Sequence, residues 1–214
     1  MRQSERAYAT LLEEIQSGAL PAGAVLGEVE QSARLGVSRT PLRTALGRLV
    51  ADGLVVQQSP RVTVVADIDA ADIRALFELR RALEESAARI AAVRGDAAAF
   101  AALEREFADA GRALHGDPGR DAYYGVIARF DAAVDAAVGN DYMTQALRTV
   151  RTHLVRVRRL ARDKPDRLAA SVGEHRLIAR ALADRDADLA AHATHVHLHN
   201  ALDSILDSLP EGTP

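Results

Sequence analysis

Cysteine is missing from this 214-residue chain, and lysine occurs once, at Lys164, against 26 arginines. Without cysteine there is no disulfide scaffold, no thiolate nucleophile and no Cys-ligated zinc, so any metal must be held by His and carboxylate side chains. No run of 18 apolar residues is present to span a bilayer, and the N-terminal MRQSERAYAT lacks the basic, apolar and small-residue order of a secretory signal. A soluble, cytoplasmic protein with no membrane partner is expected. Neither sign of charge dominates: the formal net charge is −3, with residues 1–66 at net +1 and the remainder at net −4. Charge alone therefore does not announce nucleic acid.

What is present is enough hydrophobic material, 48% of residues beside 27% charged, for one ordinary domain or two small ones with a genuine core. Alanine makes up about a fifth of the chain, which favours helix and also fits a GC-rich genome. From Asp67 onward the pattern predicts six helices, at about 69–94, 96–114, 120–138, 140–163, 165–184 and 186–208. Gly95-Asp96 and Gly139-Asn140 offer a left-handed C-cap followed by a polar N-cap, and Gly116-Asp117-Pro118-Gly119 is read as a stretch that cannot continue a helix. The expected result is an all-α antiparallel bundle over residues 67–214.

Residues 1–66 read differently. Helices at about 4–17, 28–35 and 39–52 precede an alternating stretch from Leu54 to Val65 with its turn at Pro60, which together spell a winged helix-turn-helix. Gly36 supplies the free φ at the tight turn, flanked by Leu35 and Val37 as core anchors; Ser38 caps the next helix, and Thr40-Pro41 suit its first turn. Leu42, Leu46, Leu49 and Val50 have helical spacing and are expected to bury one face. Ser38, Arg39, Thr40, Arg43, Thr44 and Arg48 are left as candidates for contacts to base edges and phosphates, and Arg61 at the wing tip for phosphate or the minor groove. The alternative for Arg39 and Arg43 is that they are ordinary solvated arginines.

The run Ile15-Gln16-Ser17-Gly18, Pro21-Ala22-Gly23, Leu26, Leu35-Gly36-Val37-Ser38-Arg39-Thr40-Pro41-Leu42-Arg43-Thr44-Ala45-Leu46 and Leu49-Val50-Ala51-Asp52-Gly53-Leu54-Val55 resembles the GntR family of bacterial transcription regulators. Leu76-Phe77-Glu78-Leu79-Arg80-Arg81-Ala82-Leu83-Glu84 and Glu174-His175-Arg176-Leu177-Ile178 resemble the helical effector domain of its FadR subfamily, and six helices resemble the VanR-type variant. Val29 stands where the family usually has arginine, Gln31 where it has leucine, and the common wing-tip glycine is absent from Gln58-Ser59-Pro60-Arg61-Val62.

Seven histidines are present, four of them between His192 and His199. The resemblance implies a divalent metal such as Zn, Ni or Mn in the bundle, at positions aligning with Ile127, Asp131, His175 and His197. Ile127 cannot ligate, and Asp131 stands where the family has histidine. Independently, Asp131 lies on the apolar stripe of Ile127, Val134 and Val138, and His175 on that of Leu168, Val172, Ala179 and Leu182, so both should face inward. A buried carboxylate there needs a partner, either a metal or, without metal, His175 or His197. His192, His195 and His199 share another face, read as solvated or interface histidines.

Arg151 sits at the edge of the stripe Met143, Leu147, Val150, Leu154 and Val157, where a guanidinium can clamp a carboxylate effector bidentately. Arg80 is a second candidate, with an i,i+4 pair to Glu84 as its alternative role. Tyr124, with Tyr123, is expected to line the pocket or pack in the core. The sequence thus predicts a homodimeric regulator that binds a double-stranded DNA operator and senses a small carboxylate. The competing readings are a metal-dependent enzyme using Asp131, His175 and His197, and an effector-blind DNA-binding dimer.

Overall fold

The computed structural model describes residues 2–59, 62–114, 116–160 and 165–209. It divides into two compact units, one of Met1–Asp69 with Thr152–Arg159, the other of Ala70–Arg151 with Leu160–Thr213.

In the first unit, α1 (Gln3–Ser17) buries Ala7, Leu11 and Ile15, spaced by one helical turn, and stops at Gly18 in the left-handed region. Helix α2 (Glu28–Leu35) ends at Gly36 with φ of 63°, the turn the sequence requires of a glycine, and α3 (Arg39–Ala51) follows. The face α3 buries is Leu42, Ala45, Leu46 and Leu49. Val50 does not join them: it is 38% exposed, because the i, i+3, i+4, i+7 stripe is completed by the small Ala45 rather than by a residue eight positions on. Ser38 occupies the N-cap position with extended backbone, but its side chain makes no capping hydrogen bond.

Strands β1 (Val55–Ser59) and β2 (Val62–Val65) pair antiparallel with Val55 opposite Val65, and Val25 adds a bridge to Val64. Leu26, Leu54, Val55 and Val65 close the core under the three helices. Gln31 is buried in place of a leucine and accepts hydrogen bonds from Arg34, which also forks onto Glu14 of α1. On the same unit, His153 Nε2 lies 2.8 Å from the Asp52 carbonyl and Arg156 donates to the Ala66 carbonyl.

Six helices follow the winged head: α4 (Ala70–Arg94), α5 (Ala97–Arg112), α6 (Gly116–Val138), α7 (Asp141–Leu160), α8 (Pro165–Ala183) and α9 (Ala187–Leu206). Asp96 and Asn140 cap α5 and α7 by accepting backbone N–H bonds, as their side chains predict. Two expectations need correction. Helix α6 begins at Gly116 rather than near 120, since Pro118 falls in its first turn, where a missing N–H has no intrahelical partner to lose. Gly139 is left-handed but Gly95 is not; an added Cβ at Gly95 would stand 2.6 Å from the Ala91 carbonyl oxygen and closer still to the Phe100 ring. Space, not φ, demands glycine there.

The bundle packs α4 against α9, α5 against α8 and α8 against α9. Alanines let these helices approach, and the few aromatics concentrate at one level. Phe107 meets Phe130 at 5.7 Å and Tyr123 at 6.1 Å, both edge to face, and stacks on the His175 ring at 5.1 Å. Among the described residues no helix is long and apolar enough to cross a membrane.

Candidate functional site

Two places gather the side chains singled out by the sequence. The first is the outer face of α3. Burial of Leu42, Ala45, Leu46 and Leu49 turns Arg39, Thr40, Arg43, Thr44 and Arg48 outward, all exposed. They are not equivalent. Arg43 donates its Nε to Glu28 Oε1 on α2 at 2.8 Å. That bond holds the Glu28 carboxyl below its ordinary range and raises Arg43. On the other flank Arg48 lies with its guanidinium 3.7 Å above the Tyr8 ring and 3.9 Å from Asp52. Tyr8 donates to Asp52 at 2.6 Å, and burial together with that anionic acceptor pushes its phenol up to about 12. Thr44 bonds back to the Thr40 carbonyl. Val29, the residue standing where the family resemblance has arginine, is 65% exposed. Arg61 lies outside the described residues.

The second place is the centre of the bundle, where charged and polar groups from five helices stand in an apolar surround. Arg80 of α4 is 4% exposed, rests over the Phe77 ring and donates Nε to Glu84 at 2.8 Å. This is the i,i+4 pair left open by the sequence. Burial raises the Glu84 pKa, but Arg80 outweighs it and the carboxyl lies below its ordinary range. Arg151 of α7 donates Nη1 to Asp135 at 2.7 Å, and its Nε lies 3.2 Å from Asp131, both on α6. Burial works against that guanidinium, yet Asp131 and Asp135 more than compensate and raise its pKa. Asp135 keeps a second oxygen, Oδ1, buried without a hydrogen-bond partner among the described residues.

His175 and His197 are brought together, ring centroids 4.4 Å apart. The His175 Nδ1 lies 2.9 Å from the Ser171 carbonyl and 2.9 Å from the Tyr123 hydroxyl. A carbonyl only accepts, so that contact places a proton on Nδ1. His197 Nδ1 lies 2.7 Å from Glu174 Oε2. Burial lowers the His197 pKa, so the ring is neutral and donates its Nδ1–H to the carboxylate. Glu174 also accepts two bonds from Arg167 and one from Asn200. Burial raises the Glu174 pKa, but those donors and His197 pull it down to about 2.

Asp131 does not join the two histidines; Arg151 holds it. Among the described residues no three His, Asp or Glu side chains are gathered as a metal-binding group. Tyr123 is fully buried and hydrogen-bonded, whereas Tyr124 is half-buried beside it at 5.8 Å. His195 and His199 lie on the surface against Glu85 and Asp203, and His192 is exposed. The sequence reading missed Glu174 as the hub of this cluster and Asp135 as a partner of Arg151. The spacing of Arg167 and Glu174, seven residues apart on one face of α8, was the available signal.

Residues 3–65 match the family model described as bacterial regulatory proteins, gntR family, and residues 75–200 match the FCD domain. The chain is 32% identical over 186 residues to the Nta operon transcriptional regulator of Aminobacter aminovorans, an alignment covering 86% of each. It is 31% identical over 195 residues to the probable D-xylose utilization operon transcriptional repressor of Paenarthrobacter nicotinovorans, covering 86% of this chain and 80% of that one. Among solved structures, E. coli McbR/YncC aligns with a TM-score of 0.77 at 18% identity, over 97% of this chain and 98% of that one. A GntR transcriptional regulator from Rhodococcus sp. RHA1 aligns with a TM-score of 0.75 at 22% identity, over 95% and 97%. At such identities the solved structures speak to fold, and the fold agrees with the family models. The chain belongs to the gntR family of bacterial transcriptional regulators, in the FadR branch with a C-terminal FCD domain, and is a DNA-binding regulator rather than an enzyme.

Proposed function

We propose that this regulator binds a palindromic operator as a homodimer, reads it with Arg39, Thr40, Arg43 and Thr44, and is controlled by a small organic acid held in the centre of the helical bundle. The observation that supports the effector site is the polar cluster itself. Buried ion pairs stabilise a fold little, and hydrophobic residues of similar volume commonly do as well or better. A core that nevertheless places Arg80, Arg151, His175 and His197 among alanine, valine and phenylalanine is organised for a ligand. Arg80 and Arg151 are the groups suited to a carboxylate, exchanging part of their hold on Glu84 and Asp131 for a bidentate contact. The partnerless Oδ1 of Asp135 suits a hydroxyl donor on the same molecule.

A second reading, in which a divalent ion takes part, draws on the tautomers of the two histidines. Both imidazoles donate Nδ1–H to the protein, to a carbonyl and to a carboxylate, which is the way metal-binding imidazoles are held. His175 and His197 are the ligands an ion here would use, and Asp131 would have to leave Arg151 to complete a set of three. Such an ion would supply a positive charge for the acid.

The test is a thermal-shift screen of the full-length protein against a panel of hydroxy acids and dicarboxylates, with and without Zn²⁺, Ni²⁺ or Mn²⁺, followed by operator binding in the presence of each hit. Ligand binding to the native state raises the melting temperature in proportion to the logarithm of ligand concentration over Kd. A response that Arg80→Met and Arg151→Met abolish supports the site. A response that neither variant changes places the effector elsewhere.

A further inference from the structure

We propose that Glu28 is a positioning residue for the DNA contact: by holding Arg43 through its Nε, it aims the guanidinium at one base and withholds its charge from phosphates. The inference rests on the reading of Arg43 as a base-contacting side chain. The pair joins the first residue of α2 to the outer face of α3, at 2.8 Å, with Glu28 the less exposed partner at 28% against 66% for Arg43. Among the described residues this is the one hydrogen bond of the Arg43 guanidinium, so Nη1 and Nη2 keep their donors for another partner. Those two nitrogens are a pair that can fork onto O6 and N7 of guanine in the major groove.

An exposed ion pair of this kind contributes little to stability, so fold maintenance does not account for it. Its effect on recognition is larger, for two reasons. A long side chain already restrained at Nε loses less conformational freedom when it meets a base. A carboxylate beside the arginine also weakens its attraction to any phosphate, which is the part of the affinity that carries no sequence information.

The element that carries Glu28 is itself fixed. Gln31 of α2 is buried and accepts two bonds from Arg34, and Arg34 forks onto Glu14 of α1. The carboxylate is thus presented from an anchored helix. Arg48 is held by Tyr8 and Asp52 instead.

The experiment uses the full-length protein and a randomised duplex library, because selection itself supplies the binding sequence. Wild type, Arg43→Ala, Glu28→Ala and Glu28→Gln are each carried through selection, then titrated against the wild-type consensus duplex and a scrambled duplex over a range of salt. Far-UV melting checks that each variant folds. Arg43→Ala should lose the preference at one base position, by about tenfold or more. Glu28→Ala should keep the consensus but relax that same position several-fold, bind the scrambled duplex more tightly, and steepen the salt dependence by about 0.9 in log–log slope. Glu28→Gln, which retains an oxygen for Nε and loses only the charge, should keep the base preference while gaining on the scrambled duplex.

A simple structural role would weaken both duplexes together and lower the melting temperature, which would overturn the proposal. It would also fall if Glu28→Ala leaves the base preference and the salt slope at their wild-type values while Arg43→Ala removes the preference. If Arg43→Ala enriches the wild-type consensus unchanged, the reading of Arg43 fails and the role of Glu28 with it.

Discussion

Replacing Glu174 by Gln removes one charge from the centre of the bundle and leaves its size unchanged, and the structure sets the expected cost. The carboxylate is 13% exposed and accepts from His197, Arg167 and Asn200. Burial disfavours its ionisation, but the donors prevail and hold the pKa at about 2 against an ordinary 4.5. At about 1.4 kcal/mol for each tenfold change this corresponds to about 3 kcal/mol, and solvent that reaches part of the group reduces the working figure to roughly 2 kcal/mol.

Glutamine keeps one acceptor oxygen but presents an N–H₂ toward the Arg167 guanidinium, which has no acceptor, and the loss of these charge-assisted bonds is what the depressed pKa already measures. At about 2–4 °C per kcal/mol for a chain of this size, the melting temperature should fall by roughly 4–8 °C near neutral pH. The sign of the pH dependence follows from the depressed pKa: the stabilisation is fully present above about 4.5, the unfolded value, and is lost as pH falls toward 2. Wild type and variant should therefore converge over that window in paired thermal melts. A variant that melts with wild type near pH 7, or that stays below it by a constant margin at every pH, would show that Glu174 is not the ionised hub of this cluster.

Four further outcomes can be measured. His197 is buried neutral with its pKa lowered chiefly by burial, so wild type should lose stability as pH falls below about 6.5, and His197→Gln should flatten that part of the profile. If a divalent ion binds, Zn²⁺, Ni²⁺ or Mn²⁺ should raise the melting temperature of wild type and of neither His175→Ala nor His197→Ala; an equal response from all three would place the ion elsewhere. Arg48→Ala, which removes the cation stacked on Tyr8, should weaken binding to all duplexes alike without altering the selected consensus, and a changed consensus would make Arg48 a base reader. The full-length protein should sediment as a dimer at micromolar concentration, since one winged helix covers only a half-site; a monomer would remove the basis for a palindromic operator.

The helix-turn-helix was legible because its determinants are local. A glycine in the left-handed region at Gly36, a stripe at Leu42, Leu46 and Leu49, and a valine-rich hairpin each specify their own stretch of backbone, whatever lies across the core. The misreadings have the opposite character. Val50 and Ala45 compete for one edge of a stripe, and which of them is covered depends on what packs there. Gly95 was read as a conformational requirement, although the ring of Phe100 and the Ala91 carbonyl crowd it. The sequence makes Pro118 a barrier, whereas it stands in the first turn of α6.

The bundle site was half legible for the same reason. Periodicity turned His175 inward, and both histidines are indeed buried. Periodicity says nothing about partners, however, and partners decide what a buried ionisable group can do. Asp131 was expected to face the histidines, yet Arg151 on the next helix holds it, because a guanidinium with carboxylates at 3.2 and 2.7 Å satisfies two charges at once. Glu174 draws on Arg167 two turns back along α8 and on donors 23 and 26 residues away, and the latter two separations become contacts only when α8 and α9 pack. The same holds for Glu28 and Arg43, which are 15 residues apart and meet because the turn at Gly36 lays α2 across α3. In this chain the residue types that act could be read one at a time, whereas their control lies in pairs made by tertiary packing. A substitution at a partner such as Glu28, Asp135 or Glu174 therefore tests the mechanism more sharply than removal of the arginine or histidine it governs, since it alters the aim of the group and leaves the group in place.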